Sequence, residues 1–382
     1  MIRVLQFADI INRHDFIDNI VRGASPALFR FGICVRSCDS NIATPSFPRG
    51  TPRWVIPGTS RCCIPLAAWR LARILRQWRV DILHTHHYEP SVIGWLATRL
   101  YRQAHLVVGR HYSDSFYRLS SPMRRKVHLT LEQQVNRAAR KIIAPSKYIC
   151  QILCQWQGVS ASKVELVPYG FMAAKYPDQP PAKVQRFRED LGLSCHFVVA
   201  TFGRLHEEKG QRFLIQAIAQ LHRRRPELRA LLVGEGPERR TIEKQIDSLG
   251  LGDIVQMLGW RRDAMTVMAA VDAVVQPTLQ EGFSQVMAEA LWMRKPLVIT
   301  DVSGAPDIIT DGQNGLLVPR GDTGALATAI ERLAADEALR ARLAKNGREY
   351  VQQRLTVDKI IPLYEEVYLK ALDGSLKEVD YV

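Results

Sequence analysis

The sequence lacks a long apolar run and the marks of a leader segment. No stretch approaches about 18 consecutive apolar residues, so a transmembrane helix is not expected. The first residues, MIRVLQFADI, contain no basic region followed by an apolar core and a cleavage site. They predict a first β-strand and not a signal peptide. No period of about 20 to 50 residues recurs, which argues against a solenoid.

Cysteine is scarce and has no regular pattern. The seven cysteines are an odd number, and two pairs share an x3 spacing, Cys34 with Cys38 and Cys150 with Cys154. This arrangement does not form a disulfide framework. We expect reduced thiols in the cytoplasm. A zinc site is the alternative, because x3 pairs fall within the spacings that zinc sites use.

Length and charge are more informative. The chain of 382 residues is about twice the usual size of one domain. Its composition, with 47% hydrophobic and 24% charged residues, is typical of a soluble globular protein. Residues 1–172 hold 24 Lys and Arg against 9 Asp and Glu, a net charge of +15, whereas residues 173–382 hold 28 against 29. The basic half suits an anionic partner, such as a lipid surface, a phosphorylated acceptor or nucleic acid. A basic surface that serves only solubility is the alternative.

Apolar runs alternate with amphipathic stretches along both halves. The first half predicts strands at MIRVLQFA, FRFGICVRS, WVIP, VDILHTHH, HLVVGRHY and KIIAPS, with helices over 65–79, 91–103 and 125–139. The second half predicts six strands from HFVVATFGR to GLLVP, with helices near 210–224, 238–249, 264–270, 284–293 and 323–335. Such alternation is typical of parallel sheets with helices on both faces.

A proline-rich segment separates the two halves. Pro177, Pro180 and Pro181 predict an extended linker over residues 173–187. The amphipathic tail over residues 356–372 predicts a helix, in which Pro362 introduces a kink.

The strongest candidate site is EGFSQVMAE, from Glu281 to Glu289, directly after the strand AVVQPT. Gly282 permits a tight turn, and the residues after it predict a helix start, whose N–H groups and positive dipole end attract phosphate. If the stretch is helical, the two carboxylates lie about 12 Å apart. This is comparable with the distance between a sugar and a ribose that are joined by a diphosphate, so we expect each carboxylate to bind one of the two sugars. The alternative is that Glu281 is only a charge in the first turn of the helix and that Glu289 is a solvated helix residue.

Two further loops follow predicted strands. In GRLHEEKG, between Gly203 and Gly210, Arg204 provides a forked contact to phosphate oxygens and Lys209 a point charge. A polar loop with a solvated lysine is the alternative. VGEGP, residues 233–237, is a weaker signal that falls short of the dinucleotide fingerprint and favours a plain strand-to-helix turn.

Taken together and in this order, these motifs resemble glycosyltransferase family 4, the retaining enzymes of GT-B type with two facing Rossmann-like domains. The resemblance is close over residues 197–330, where GRLHEEKG, LGW, EGFSQVMAEAL, KPLVITDVSGAPDII and DGQNGLLVPRGD follow one another as in the family. It implies that Glu281 binds donor-sugar hydroxyls near the reacting carbon and that Glu289 binds the ribose. It also implies that backbone amides of Gly282, Phe283 and Ser284 support the sugar and the phosphates.

The same resemblance implies how the leaving group is held. Arg204 and Lys209, on the loop that begins at Gly203, would neutralise the diphosphate, and the backbone around Trp260 and Arg261 would face the base. Family members generally need no metal for this, because the cations and the helix end replace it. We therefore expect no cofactor and no metal, with a nucleoside diphosphate sugar as co-substrate.

The first half matches less closely. His111, in VVGRHYSD, matches the family's histidine that follows an N-domain strand and faces the donor sugar, which makes it a candidate catalytic residue; a structural histidine is the alternative. His84, His86 and His87 suggest metal at first sight. Adjacent positions on a strand point to opposite faces, so we interpret them as the polar end of a strand at the mouth of a cleft.

The first half also departs from the family. Where members often carry paired glycines after the first strand, this chain has ADIINRHDFID, and we expect the side chains of Asn12, Arg13 or Asp15 to contact substrate instead. VPYGF replaces the commoner Asn-Gly pairing, although Gly170 is retained.

The resulting prediction is a retaining hexosyltransferase with an acceptor domain over residues 1–172, a donor domain over 173–355, and a terminal helix over 356–382 that packs back on the first domain. The Arg-rich helix at 65–79, with Trp69 and Trp78, and the run from Met123 to Lys126 suit an anionic membrane. We therefore expect a cytoplasmic, peripheral enzyme of cell-surface polysaccharide synthesis, with a glycan or lipid-linked glycan as acceptor and no nucleic acid as partner. The alternative is a noncatalytic protein that binds sugar nucleotides with the same fold.

Overall fold

A computed structural model of the chain describes residues 1–9, 15–37, 47–48, 50–58, 60–112 and 121–373. Contacts divide it into two units. Unit 1 comprises Met1–Gly170 with Val357–Val382, and unit 2 comprises Phe171–Thr356. These boundaries lie within two residues of the predicted ones, which are 1–172, 173–355 and 356–382.

Unit 1 is built on a seven-stranded parallel sheet. Its strands are β1 Ile2–Ala8, β2 Phe29–Ser37, β3 Arg53–Pro57, β4 Ile82–His86, β5 His105–Gly109, β6 Lys141–Ala144 and β7 Val164–Leu166. Its first five helices are α1 Asp15–Gly23, α2 Ile64–Trp78, α3 Tyr88–Leu100, α4 Pro122–Ala138 and α5 Lys147–Gln151, the last continued by a π-turn over Ile152–Trp156. The strand order is β3-β2-β1-β4-β5-β6-β7, so the order reverses between β1 and β4.

Unit 2 repeats this plan with six parallel strands. They are β8 Phe197–Phe202, β9 Leu228–Val233, β10 Val255–Gly259, β11 Ala273–Gln276, β12 Leu297–Thr300 and β13 Leu316–Val318. The helices are α6 Pro181–Asp190, α7 Gln211–Leu221, α8 Arg239–Ser248, α9 Ala264–Ala270, α10 Gln285–Trp292, α11 Ala305–Ile308, α12 Thr323–Ala335 and α13 Glu337–Arg354. The order β10-β9-β8-β11-β12-β13 reverses between β8 and β11.

A last helix, α14 Val357–Leu372, belongs to unit 1. It runs through Pro362, and one face buries Ile360, Ile361, Tyr364 and Tyr368 in the core beneath β1 and β2. The predicted strands and helices are otherwise confirmed to within a few residues, and the buried β-strands explain why continuous apolar runs identified them.

The prediction of an extended linker over residues 173–187 is wrong in its second half. Residues 181–190 form α6, with Pro180 at its N-cap and Pro181 in its first turn. Proline is tolerated there because the first N–H groups of a helix have no intrahelical partner. The prolines therefore mark a helix start.

Candidate active site

The site in unit 2 lies where the strand order reverses. The loops after β8 and β11 leave the carboxyl ends of two neighbouring strands, and open α/β sheets bind ligands outside this point. The first loop carries GRLHEEKG and the second carries EGFS, so the topology brings the two strongest sequence motifs together.

An ion pair joins these two loops. Lys209 Nζ lies 2.7 Å from Glu281 Oε1, and both side chains are largely buried, with 27% and 17% exposed. The sequence interpretation gave the lysine to the diphosphate and the glutamate to the sugar. The two residues are thus in direct contact, whereas their roles stay predictions.

Glycines allow the loops to approach this closely. Gly210 has φ +66°, and a Cβ there would lie 2.0 Å from the carbonyl oxygen of Pro277. A Cβ on Gly234 would lie 1.9 Å from the Gly203 oxygen, and one on Gly236 would lie 2.1 Å from the Leu205 oxygen. VGEGP is thus the packing support for GRLHEEKG, which explains its two glycines.

Backbone hydrogen bonds hold the same loops. Leu205 N–H donates to the Glu235 carbonyl at 3.0 Å, and Leu279 N–H donates to the Glu208 carbonyl at 2.7 Å. Gln211 Nε2 donates to the Arg204 carbonyl at 3.0 Å. The Arg204 side chain is exposed and forms no ion pair with any residue that the structure describes. Its guanidinium is therefore available to an anionic ligand.

The predicted helix start after Gly282 is confirmed, but it comes later than the distance argument assumed. α10 begins at Gln285, so residues 281–284 are not helical and the spacing of about 12 Å between the carboxylates does not follow. Ser284 is the N-cap, and its Oγ accepts from the N–H of Met287 at 3.3 Å. The N–H groups of the first helical turn have no intrahelical partner and favour an anion.

A neighbouring loop supports this turn. Ser303, which has φ +45°, donates its hydroxyl to the Gly282 carbonyl at 2.5 Å. A positive φ is unusual for a residue with a side chain and persists where the surroundings demand it. The side chain of Phe283, within this turn, is buried and anchors the turn in the core.

Glu289, on α10, has a partner that the sequence did not suggest. Its Oε1 accepts from the Tyr176 hydroxyl at 2.7 Å, and the Tyr176 carbonyl accepts from Trp292 Nε1 at 3.1 Å. Tyr176 lies in the segment predicted as linker, where an aromatic residue outside any periodic pattern gives no signal. It orients the Glu289 carboxylate.

At the predicted base position, Trp260 is 67% exposed. Arg261 donates to both oxygens of Asp263, at 2.8 and 2.7 Å, and this hydrogen bonding lowers the pKa of the Asp263 carboxyl. Because the Arg261 guanidinium is engaged with Asp263, a base at this point would meet the backbone and the Trp260 ring.

In unit 1, His111 is bonded through both ring nitrogens. Nδ1 lies 2.6 Å from the Tyr169 hydroxyl and Nε2 lies 2.9 Å from His86 Nδ1. β4 ends at His86, as the sequence predicts, but His84 and His86 are buried on one face of the strand and are not exposed at its end. Among the described residues, no cluster of His, Cys, Asp and Glu has the arrangement of a metal site.

Asn12 and Arg13 lie outside the described residues, and Asp15 begins α1 without a described side chain. Tyr169, in the departing VPYGF segment, is the residue here that sequence reasoning missed.

Two family models match the chain. "Glycosyltransferase Family 4" matches residues 17–173, and "Glycosyl transferases group 1" matches residues 184–350. Together the two models span most of the chain, one on each half, and they support a glycosyltransferase of the GT-B, family 4 type.

Individual proteins of known name extend the comparison. The chain is 34% identical to the alpha-D-kanosaminyltransferase of Streptomyces kanamyceticus over 49% of its own length and 50% of that protein. It is 36% identical to the lipopolysaccharide core biosynthesis glycosyltransferase LpsE of Rhizobium meliloti over 44% of its length and 48% of that protein. Each alignment thus spans about half of the relative.

One solved structure is similar to nearly the whole chain. HepE of Anabaena, in complex with UDP and glucose, is 26% identical with a TM-score of 0.82, over 98% of this chain and all of that one. The same protein has also been solved with UDP-glucose. The GT-B fold is therefore confirmed for this chain.

The close approach of Gly210 to Pro277 generates a prediction. Gly210→Ala should weaken UDP binding by about tenfold or more, because the added Cβ forces apart the loops that carry Lys209 and Glu281. Gly312→Ala is the matched control, since Gly312 has φ +71° but no atom within 4 Å of its Cβ position. Calorimetric titration of UDP into both folded variants measures the difference. Equal affinities would show that the loop contact does not shape the site.

Proposed function

We propose that the chain is a retaining, metal-independent glycosyltransferase that moves a sugar from a nucleoside diphosphate sugar to a glycan or lipid-linked glycan. The observation that carries this proposal is the Lys209–Glu281 pair at the strand-order reversal of unit 2, beside the start of α10. A cation suited to a diphosphate and a carboxylate suited to sugar hydroxyls are thus neighbours, which supports the proposal. The UDP and glucose of the HepE complex support a donor of this class.

In the proposed reaction, the bond between the anomeric carbon and the diphosphate oxygen breaks, and its electron pair leaves with the diphosphate. Arg204, Lys209 and the N–H groups at the start of α10 stabilise the negative charge that develops there. Lys209, held by Glu281, and the N–H groups of α10 are in place before the reaction, and together with Arg204 they supply what a divalent metal provides elsewhere. The acceptor hydroxyl then attacks the face that the diphosphate leaves, its proton passes to the departing diphosphate oxygen, and the configuration is retained.

Glu281 and Glu289 have separate roles in this proposal. Glu281, held by Lys209, accepts hydrogen bonds from the donor-sugar hydroxyls near the reacting carbon. Glu289, oriented by Tyr176, accepts from the ribose hydroxyls. The backbone near Trp260 faces the base.

For the acceptor, we propose a cell-surface glycan carried on lipid, made at the cytoplasmic face of the membrane. The similarity to a lipopolysaccharide core biosynthesis glycosyltransferase supports this class. In the described part of the chain, each helix is either too short or too polar to cross a membrane. We propose that the protein associates peripherally, through the basic surface of unit 1.

Only part of α2 is exposed and available to this surface. Its buried face consists of Ala67, Ala68, Leu71, Ala72, Ile74 and Leu75. Trp69 is 49% exposed, with the Arg73 guanidinium 5.0 Å from its ring centroid, and Leu66 is exposed beside it. Trp78, by contrast, packs against Trp54, with the two ring centroids 5.4 Å apart, beside the core of unit 1.

A second basic and apolar stretch lies on α4. Met123 is 78% exposed and Val127 is 52% exposed, and Arg124, Arg125 and Lys126 between them are exposed as well. Exposed apolar side chains next to cations are typical of peripheral helices that bind anionic lipid.

The two carboxylates test the catalytic proposal. Glu289→Gln should weaken UDP binding by about tenfold, which corresponds to about 1.4 kcal/mol, because the neutral amide is a poorer acceptor for ribose hydroxyls. Glu281→Gln should lower the transfer rate by about 10²-fold with little change in UDP affinity, because it acts beside the reacting sugar. Calorimetry and a transfer assay with UDP-glucose measure the two effects.

A wild-type protein that binds UDP-sugars and transfers nothing would favour the noncatalytic alternative. Unchanged UDP affinity in Glu289→Gln would contradict the ribose role. Release of a β-linked product from an α-linked donor would contradict retention.

The membrane proposal has its own test. Replacing the exposed Arg73, Arg76 and Arg79 by Gln should reduce binding to vesicles of anionic lipid, since each basic residue near such a surface contributes about 1 kcal/mol. Sedimentation at low salt and at 1 M salt measures this, because the Debye length falls to about 3 Å at 1 M.

A matched control removes the same charge from unit 2. Arg223→Gln, Arg240→Gln and Arg342→Gln change three exposed arginines and should leave vesicle binding intact. Both triple variants should bind UDP like the wild type. Absence of vesicle binding by the wild type at low salt would favour a soluble acceptor.

A further inference from the structure

Unit 1 has a cluster of charged side chains at its own strand-order reversal. Asp9 directly follows β1, Arg36 is the last but one residue of β2, and Glu89 lies in the first turn of α3, after β4. The three strands are parallel neighbours in the order β2-β1-β4, so these residues lie at the carboxyl edge of the sheet. Open α/β sheets bind ligands outside this edge where the strand order reverses. We call the three residues the Arg36 triad.

A buried guanidinium holds the two carboxylates of the triad. Arg36 Nε donates to Asp9 Oδ1 at 2.7 Å, and Arg36 Nη2 donates to Glu89 Oε2. The Arg36 side chain is 2% exposed, whereas the side chains of Asp9 and Glu89 are 31% and 23% exposed. The cation is therefore buried, and the two carboxylates that it holds reach the surface of the unit.

Folding stability alone does not explain a buried arginine at this point. Removing a guanidinium from water is costly, and apolar residues of similar volume often replace a buried ion pair without loss of stability. The Arg36 Nη1 group is also buried, and it has no hydrogen-bond partner among the described residues. Such unsatisfied donors are rare in protein interiors, and an oxygen atom of a ligand or a water molecule would satisfy this one.

The backbone that leads to Glu89 is strained. His87, the single residue between β4 and α3, has φ +69° and ψ 177°, a region that is almost restricted to glycine. This residue turns the chain from the strand into the helix and so brings Glu89 to Arg36. Strained backbone persists where the surroundings demand it, and it is frequent at binding sites.

The chemistry of the triad selects a class of ligand. Two carboxylates outnumber one guanidinium, so the triad repels a phosphate group, although unit 1 as a whole is basic. A sugar hydroxyl fits, because it donates to a carboxylate and also accepts from an N–H group of Arg36. An ammonium group would donate to the carboxylates but would leave Nη1 unsatisfied.

One member of the triad lies where this sequence departs from its family. Asp9 belongs to ADIINRHDFID, the segment that replaces the paired glycines. The sequence suggested Asn12, Arg13 or Asp15 as substrate contacts in this segment. Asp9 is the residue whose carboxylate the structure shows at the sheet edge, in the grip of Arg36.

We propose that Asp9 and Glu89 bind hydroxyl groups of a neutral sugar in the glycan acceptor, and that Arg36 is the positioning residue that holds both carboxylates. This proposal rests on the proposed function, in which a glycan receives the transferred sugar, and it names the class of sugar that unit 1 binds. The sugar at the triad carries no phosphate there. A phosphate of a lipid-linked acceptor would bind elsewhere on the basic surface.

Saturation-transfer difference NMR on the full-length protein tests direct binding. The probes are the methyl glycosides of glucose, galactose and mannose, with UDP at saturation to fill the nucleotide site. At least one glycoside should bind to the wild type. Asp9→Asn and Glu89→Gln should each weaken its affinity by about tenfold, because a neutral amide is a poorer hydrogen-bond acceptor than a carboxylate. A folded Arg36→Lys keeps the charge without the fork and should act in the same direction.

Glu165→Gln is the matched control. The Glu165 side chain is 21% exposed and is held by Lys141 at 2.7 Å and by Lys370 at 3.2 Å, but it lies on β7, at the edge of the sheet. This variant should bind the glycosides like the wild type. Glu281→Gln, in unit 2, should also bind them like the wild type, which separates the triad from the donor-sugar position.

A competition experiment tests the charge of the site. The free sugar should displace the bound glycoside, and its 6-phosphate should do so at least about tenfold less well, because the two carboxylates repel the phosphate. In Asp9→Asn, which removes one negative charge, this difference should shrink. A change of this kind would not follow if Asp9 only stabilised the fold.

Three results would each overturn the proposal: no glycoside bound by the wild type, unchanged affinity in both Asp9→Asn and Glu89→Gln, or a 6-phosphate that competes as well as the free sugar. Failure of the proposed function would appear differently. The wild type would then bind the glycoside through Asp9 and Glu89 but would transfer no sugar from UDP-glucose.

Discussion

The contact of Gly210 with the Pro277 carbonyl is the constraint on which the unit 2 site depends. With a Cβ position 2.0 Å from that oxygen, the loop after β8 and the loop after β11 approach as closely as two backbones can. At this approach, Lys209 reaches Glu281 across the strand-order reversal. Gly234 and Gly236, in the loop after β9, allow a similar close approach to the loop after β8. The loops after β8, β9 and β11 therefore pack against one another at the carboxyl ends of their strands. Charged groups are thereby fixed before a ligand arrives, which is the condition for electrostatic stabilisation of a leaving group.

Unit 1 is organised by a different constraint, the need to satisfy polar side chains in a dry interior. α14 covers the core beside β1 and β2 with its apolar face, and it also brings Tyr368 to Gln6 and His84. A hydroxyl, an amide and two imidazoles then satisfy one another in sequence. The same helix thus provides packing and hydrogen bonding, which ties the last residues of unit 1 to its first strand.

Much of the fold was predictable because buried parallel strands are continuous apolar runs. β1, β8 and β11 were recognised in this way, and the motifs after β8 and β11 made Lys209 and Glu281 candidate residues, although not as an ion pair. Pro180 and Pro181 led to a wrong prediction, because proline both interrupts regular secondary structure and occurs in the first turn of helices. Only the residues that follow a proline distinguish these two cases. Tyr176 and Tyr169 could not be foreseen, since a single aromatic residue in a loop has no periodicity. The burial of His84 and His86 was missed because their partners, Gln6 and Tyr368, lie far away in the sequence.

The central claim is that the cations of unit 2 bind the diphosphate of a sugar nucleotide. Calorimetric titration of UDP into the wild type and into the Arg204→Ala, Lys209→Ala double variant tests it most directly. Each charge-assisted bond is worth about 1.5 kcal/mol or more, and removal of Lys209 also leaves Glu281 unpaired, so the double variant should bind UDP about 100-fold more weakly or worse. A folded control, Arg223→Ala with Lys345→Ala, removes the same charge from exposed positions of unit 2 and should bind like the wild type. A wild type that binds none of UDP, GDP and ADP, or a double variant with wild-type affinity, would contradict the account.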